Sequence, residues 1–199
     1  WLNDWTNEAI RISHKSNYLS TTETWSSAAL NGTKPDVLSG GDIFRGDIGV
    51  SGQSLKTPSI LQEIDGSEAL RFDLTNKEAT SVTIDLYTFN VDQSGRNFEA
   101  GRLQLLDSSG LVVDELTFNA NATGISKTIT LDHASGFSSV VLTAGVYNGD
   151  AFVFGGFADA SGHYLSNPIN YGHGGIWDGS DYLVSAIEFE FGNATLVGV

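Results

Sequence analysis

The chain has 199 residues, 40% of them hydrophobic, which suits one domain with a single buried core. It carries 24 acidic against 10 basic residues, a formal net charge of −14. Such a surface repels phosphate backbones and anionic lipids, which excludes nucleic-acid binding and disfavours anionic membranes. Cys is absent, removing disulfide scaffolds, thiolate nucleophiles and thiolate metal sites together.

Met is absent too, and the chain opens on Trp1-Leu2-Asn3. It is expected to be a processed product or, the preferred reading, a piece of something larger. Nothing near its start combines a basic beginning, an apolar run of about 7–15 residues and a small-residue cleavage site, as a signal peptide does. No run approaches the roughly 18 apolar residues that span a membrane as a helix.

Residues 1–62 read as an irregular N-terminal part packed on the body of the domain. Trp5 to Ile12 suits a first strand or a short helix. Ser13 to Ser59 is rich in Ser, Thr, Asn and Gly, with short strands such as Asp42-Ile43-Phe44 expected within it. Trp5, Trp25 and Phe44 argue for folded chain, because disordered segments are poor in aromatics. The acidic run Glu63-Ile64-Asp65-Gly66-Ser67-Glu68 directly precedes the first clear strand, Ala69 to Leu74.

From there, period-two alternation broken by Gly, Asp, Asn and Ser signals strands and turns. In Val82 to Phe89, Val82, Ile84 and Leu86 share one face, Thr83 and Asp85 the other. The loop Asn90 to Glu99 holds Asp92 and Arg96; Arg96 is available to a ligand carboxylate or, the commoner outcome, to Glu99. Arg102 to Leu106 and Leu111 to Phe118 flank Asp107-Ser108-Ser109-Gly110, which predicts a hairpin with positive φ at the glycine. Lys127 to Leu131, Phe137 to Ala144 and Ala151 to Phe157 follow as strands.

The stretch Gly145 to Asp181 concentrates Tyr147, Asp150, Asp159, Tyr171, Trp177 and many glycines. After the strand near 151–157 it shows no regular pattern, and loops that long in compact domains are usually functional or disordered. Aromatics argue against disorder, so a binding loop is expected rather than a lid that merely covers the core. The final strand, Tyr182 to Phe191, should point Leu183, Ile187, Phe189 and Phe191 inward and Glu188 and Glu190 outward. The whole predicts an all-β, antiparallel β-sandwich or jelly roll with long functional loops, one domain over 1–199.

Two acidic turns suit a hard cation. Asp178-Gly179-Ser180-Asp181 and Glu63 to Glu68 each place carboxylates on a glycine-containing turn before a strand, as Ca²⁺ with its oxygen ligands requires. Glu63, Asp65, Glu68, Asp178 and Asp181 are the candidate metal ligands, with Glu68 and Asp181 the expected sharing pair. Asp-Gly-Ser is equally an ordinary turn. Asp92, Asp150 and Asp159 offer a second, exposed calcium that a ligand completes. With Arg96, Tyr147, Tyr171 and Trp177 they are the candidate ligand-binding residues.

Catalysis has little support. The four histidines show no His-Glu-x-x-His spacing, and Gly172-His173-Gly174-Gly175 comes without a Gly-x-Ser-x-Gly elbow. Glycoside hydrolysis needs paired carboxylates, which 24 acids can supply by chance; the Glu-x-Asp-x-x-Glu strand of sandwich glucanases is absent, and its nearest fragment, Glu188-Phe189-Glu190, fits an outward strand face better. No catalytic residue is assigned.

Several pieces together resemble the ligand-binding modules of giant bacterial repeats-in-toxin adhesins, especially their calcium-dependent peptide-binding domain. They are Glu63 to Leu74, Ala100-Gly101-Arg102-Leu103, Phe137 to Gly145, Phe152-Val153-Phe154-Gly155, Gly179 to Leu183 and Glu188 to Phe191, within about residues 45–191. The resemblance implies a β-sandwich holding several Ca²⁺ ions and capturing free peptide C-termini of proteins on other cells. It also implies type I secretion to the bacterial cell surface, as a monomeric module of a larger adhesin. A lectin-like calcium module for glycans is the alternative, followed by a structural spacer or a polysaccharide hydrolase or lyase.

Overall fold

A computed structural model describes residues 9–27, 47–50, 63–87, 89, 99–120, 126–147, 151–156 and 180–192; for Asp65, Val146, Tyr147 and Asp181 only the backbone is described. The described chain forms strands β1 (Ile10–Lys15), β2 (Ser26–Ser27), β3 (Ile64–Asp65), β4 (Ala69–Leu74), β5 (Ala79–Tyr87) and β6 (Ala100–Leu106). They continue with β7 (Val112–Asn119), β8 (Ser126–Phe137), β9 (Ser139–Tyr147), β10 (Phe152–Phe154) and β11 (Asp181–Glu190). The larger sheet runs β2-β1-β4-β9-β6-β7, with β10 on β9, and the smaller runs β3-β11-β5-β8. Every ladder is antiparallel. The expected sandwich forms.

Alternation builds its core. Phe72, Leu74, Leu103, Leu105, Val140 and Leu142 from the larger sheet meet Val82, Ile84, Leu86, Ile129, Val184 and Ile187 from the smaller. The hairpin between β6 and β7 is as predicted: Asp107 Oδ1 accepts from the backbone N–H groups of Ser109 and Leu111, and Gly110 has φ +83°, a region closed to most side chains.

Three details depart from the alternation. Strand β8 does not stop at Leu131 but runs on to Phe137. Ala79 pairs with Phe137 while Ser81 pairs with Asp132, so extra residues of β8 bulge out between them, and Gly136 takes φ +85°. Phe137, fully buried, ends β8 in the smaller sheet, and Ser139 opens β9 in the larger one. In β11 a bulge at Ser185, between Val184↔Leu86 and Ala186↔Asp85, changes the phase. Tyr182 and Val184 therefore join Ile187 in the core, and Leu183 is buried on the opposite face. Phe191 is not inward: it is 47% exposed, with Lys77 Nζ 5.2 Å from its ring.

The outer face of the larger sheet is covered in part. Ala69, Leu106 and Val141 form a second small apolar cluster under Tyr18 and Trp25. The chain from Ser16 folds back to put them there, as Tyr18 N donates to Ser67 O at 2.8 Å. Trp25 lies beneath Lys15 and Arg71 at 5.5 and 5.4 Å.

Candidate functional site

The Glu63 to Glu68 segment meets the start of β11 at one end of the sandwich. Strand β3 pairs antiparallel with the start of β11, which sets Asp65 directly across from Asp181 and Ile64 across from Tyr182. After Asp65 the chain turns through Gly66 (φ +56°) and enters β4, where Ala69 pairs with Thr143 of β9. Ser180 N donates to Gly145 O at 2.8 Å, and Ser180 Oγ accepts from Ala100 N at 2.7 Å. Glu68 and Asp181 thus adjoin residues that dock two positions apart on β9. The direct backbone partner of Asp181 is Asp65.

Burial requires these carboxylates to be compensated. Glu68 is 0% and Glu63 7% exposed, and withdrawing a carboxylate from water costs several kcal/mol unless opposite charge or hydrogen bonds compensate. Ser67, also fully buried, is held by its Oγ donating to Ser16 O at 2.9 Å.

A third buried acid escaped the sequence reading. Asp47 is 0% exposed, next to Ile48, which exchanges backbone hydrogen bonds of 2.9 and 2.8 Å with Val184. Its signal was the apolar alternation of Ile48 and Val50 beginning directly after it, within a stretch read only as irregular.

Tyr147 pairs with Phe152 in the β9–β10 ladder. Asp92, Arg96, Asp150, Asp159, Tyr171, Trp177 and Asp178 lie outside the described residues. The described ends of the long segment, Gly156 and Ser180, are both anchored near Gly145: Gly155 N donates to Ala144 O at 3.2 Å, and Ser180 N to Gly145 O. Both described ends therefore lie at the end of the sandwich where β3 meets β11.

An aromatic trio underlies that end. Phe89, Phe118 and Tyr182 stand 5.4–5.8 Å apart, centroid to centroid. The Tyr182 hydroxyl donates to Thr143 O at 3.0 Å, and full burial pushes its pKa far above the ordinary phenol value. Tyr182 is therefore a fixed neutral anchor beside Asp181.

At the opposite end, a polar groove of about 580 Å³ is lined by Arg71, Asp73, Asn76, Lys77, Glu78 and Asp107 among others. Its Arg71 is held by Asp73 at 2.6 Å. Among the described residues, no three His, Asp or Glu side chains are grouped to hold a metal. No helix there is long and apolar enough to cross a membrane. No protein-family model matches the chain, and no curated protein or solved structure is significantly similar to it.

Proposed function

We propose that this chain is a calcium-dependent ligand-binding module of a secreted bacterial adhesin, capturing the C-termini of proteins on other cells without turning them over. The observation that carries the reading is the burial of Glu63 and Glu68 beside the ladder that faces Asp65 with Asp181. Buried carboxylates flanking opposed aspartates are a donor set of hard oxygens, and hard oxygens suit Ca²⁺, which takes about six to eight of them. Glu63, Asp65, Glu68 and Asp181 would hold the ion, with Asp178 and backbone carbonyls completing its shell. When bound, the cation would offset part of the negative charge of those carboxylates and so draw the acidic turns together.

The chain's own residues supply the rest. Ser180 and Gly155 fasten the two ends of the long aromatic-rich segment to β6 and β9, so ligand contacts in that segment would be tied to the position of the acidic turns. The resemblance to adhesin modules points the same way.

The test is capture from a library of peptides with free C-termini, in calcium and in chelator, beside the same peptides amidated and a glycan array. Calcium-dependent capture of free termini supports the proposal. Capture of glycans alone replaces it with a lectin-like module.

A further inference from the structure

Arg102 has an unusual setting. It lies on the outer face of the larger sheet, opposite Thr143 and Thr117 in the two ladders that flank β6, while its neighbour Leu103 points into the core. Its guanidinium rests 5.5 Å from the ring of Phe154. Its Nε–H is buried and finds no hydrogen-bond acceptor among the described residues. A buried guanidinium donor without an acceptor costs free energy, and a carboxylate is the acceptor whose geometry matches it best.

The acid that would be expected to serve is engaged elsewhere. Glu115 faces Gln104, one step along the same face, and its Oε2 accepts from Gln104 Nε2 at 3.1 Å. Gln104 Oε1 in turn accepts from the Tyr18 hydroxyl at 2.8 Å. This chain of bonds holds Glu115 and leaves Arg102 as a cation backed by an aromatic ring. In a chain of net charge −14, Arg11, Lys15, Arg71 and Arg102 all fall on this one face by register. Arg71 is taken by Asp73, Lys15 Nζ donates to Ser20 O at 3.2 Å and Arg11 is exposed to water; of the four, Arg102 is the one with a buried donor left without an acceptor among the described residues.

We infer that Arg102 is a carboxylate-binding residue, and that the group it takes is the C-terminal carboxylate of the captured peptide. The site lies beside β10 and Gly145, where the described ends of the long segment are anchored. This assignment rests on the proposed peptide-binding function for its ligand, but not for its anion chemistry.

The test follows the Arg102 Nε–H resonance by NMR, assigned from its loss in Arg102→Lys, during titration with sodium acetate, N-acetyl-triglycine, its C-terminal amide and glucuronate. Sodium chloride of equal ionic strength is the reference. The expected result is a saturable shift with acetate and with the free-acid tripeptide, at lower concentration for the peptide, and none with the amide beyond that of chloride. A similar shift with the amide, no shift beyond chloride with either acid, or tighter binding of glucuronate than of the tripeptide would each overturn the assignment. Because acetate reads Arg102 alone, a library that captures nothing while acetate still titrates Arg102 would defeat the peptide reading and leave the anion site standing.

Discussion

Gly101→Ala should destabilise the protein even though alanine is the better strand residue. A Cβ at that position would stand 2.3 Å from Phe118 Cζ, 2.4 Å from Phe118 Cε2 and 3.1 Å from Tyr182 Cε1. Carbon atoms pack best at about 3.5–4.0 Å, so the Phe118 ring would have to withdraw by roughly 1 Å. It has nowhere to go: Phe118 is 5% exposed, and Phe89 and Tyr182, its ring neighbours, are 1% and 0% exposed. Overpacking of this kind costs about 1–3 kcal/mol, against about 0.5–1 kcal/mol returned by replacing a strand glycine. The net loss, centred on about 1.25 kcal/mol and at most about 2.5 kcal/mol, corresponds to a melting temperature lower by roughly 3–5 °C, and by at most about 10 °C, for a chain of this size. Circular dichroism melts of the variant measure it. The same substitution in a Phe118→Leu background should cost less than about 0.5 kcal/mol, because the clashing ring atoms are gone. A variant as stable as the parent, or an equal cost in both backgrounds, would refute the packing argument.

Tyr182→Phe removes one buried hydrogen bond to Thr143 O and should lower unfolding free energy in urea by about 0.5–1.5 kcal/mol. Glu68→Gln should fold in chelator yet lose most of the rise in melting temperature that calcium gives the parent, since the fully buried carboxylate becomes a weaker, neutral ligand. Asp107→Ala should melt lower at neutral pH. The Ser109 hydroxyl, first, and the backbone N–H groups of Leu111 and Ser109 hold the Asp107 carboxyl below its usual 3.8. Its stabilising effect is therefore present above that value and lost as pH falls through the lower folded pKa, so the deficit of the variant should shrink in acid.

Much of the sandwich was legible where a strand carries its own signal. From Leu70 to Leu74 buried and half-buried residues alternate, and Asp107 to Gly110 encode their turn locally. What escaped was decided by distant partners. Nothing near Ser185 marks it as a bulge; the phase of β11 is set by its ladder with β5. Lys127 to Leu131 and Phe137 to Ala144 read as separate strands, but the positive φ of Gly136 serves a bulge within β8 that carries the chain on to Phe137.

The site shows the same division. Acid-bearing turns are visible as composition, and Glu63, Asp65 and Glu68 were picked out on that ground. That Asp65 faces Asp181 is a matter of register between segments far apart in the chain. Burial of Asp47 and the isolation of Arg102 Nε depend on what packs around them. A sequence read one residue at a time does not carry such facts.

The most direct measurement is the melting temperature of chelator-stripped protein against the same protein in about 1 mM Ca²⁺, a level at which extracellular calcium modules are occupied. At about 1–10 times its dissociation constant, a ligand stabilises by about 0.4–1.4 kcal/mol, or roughly 1–6 °C here. A rise of that order, absent with Mg²⁺, is the predicted result. Superimposable melts with and without calcium would contradict the proposal that these acidic turns grip a cation.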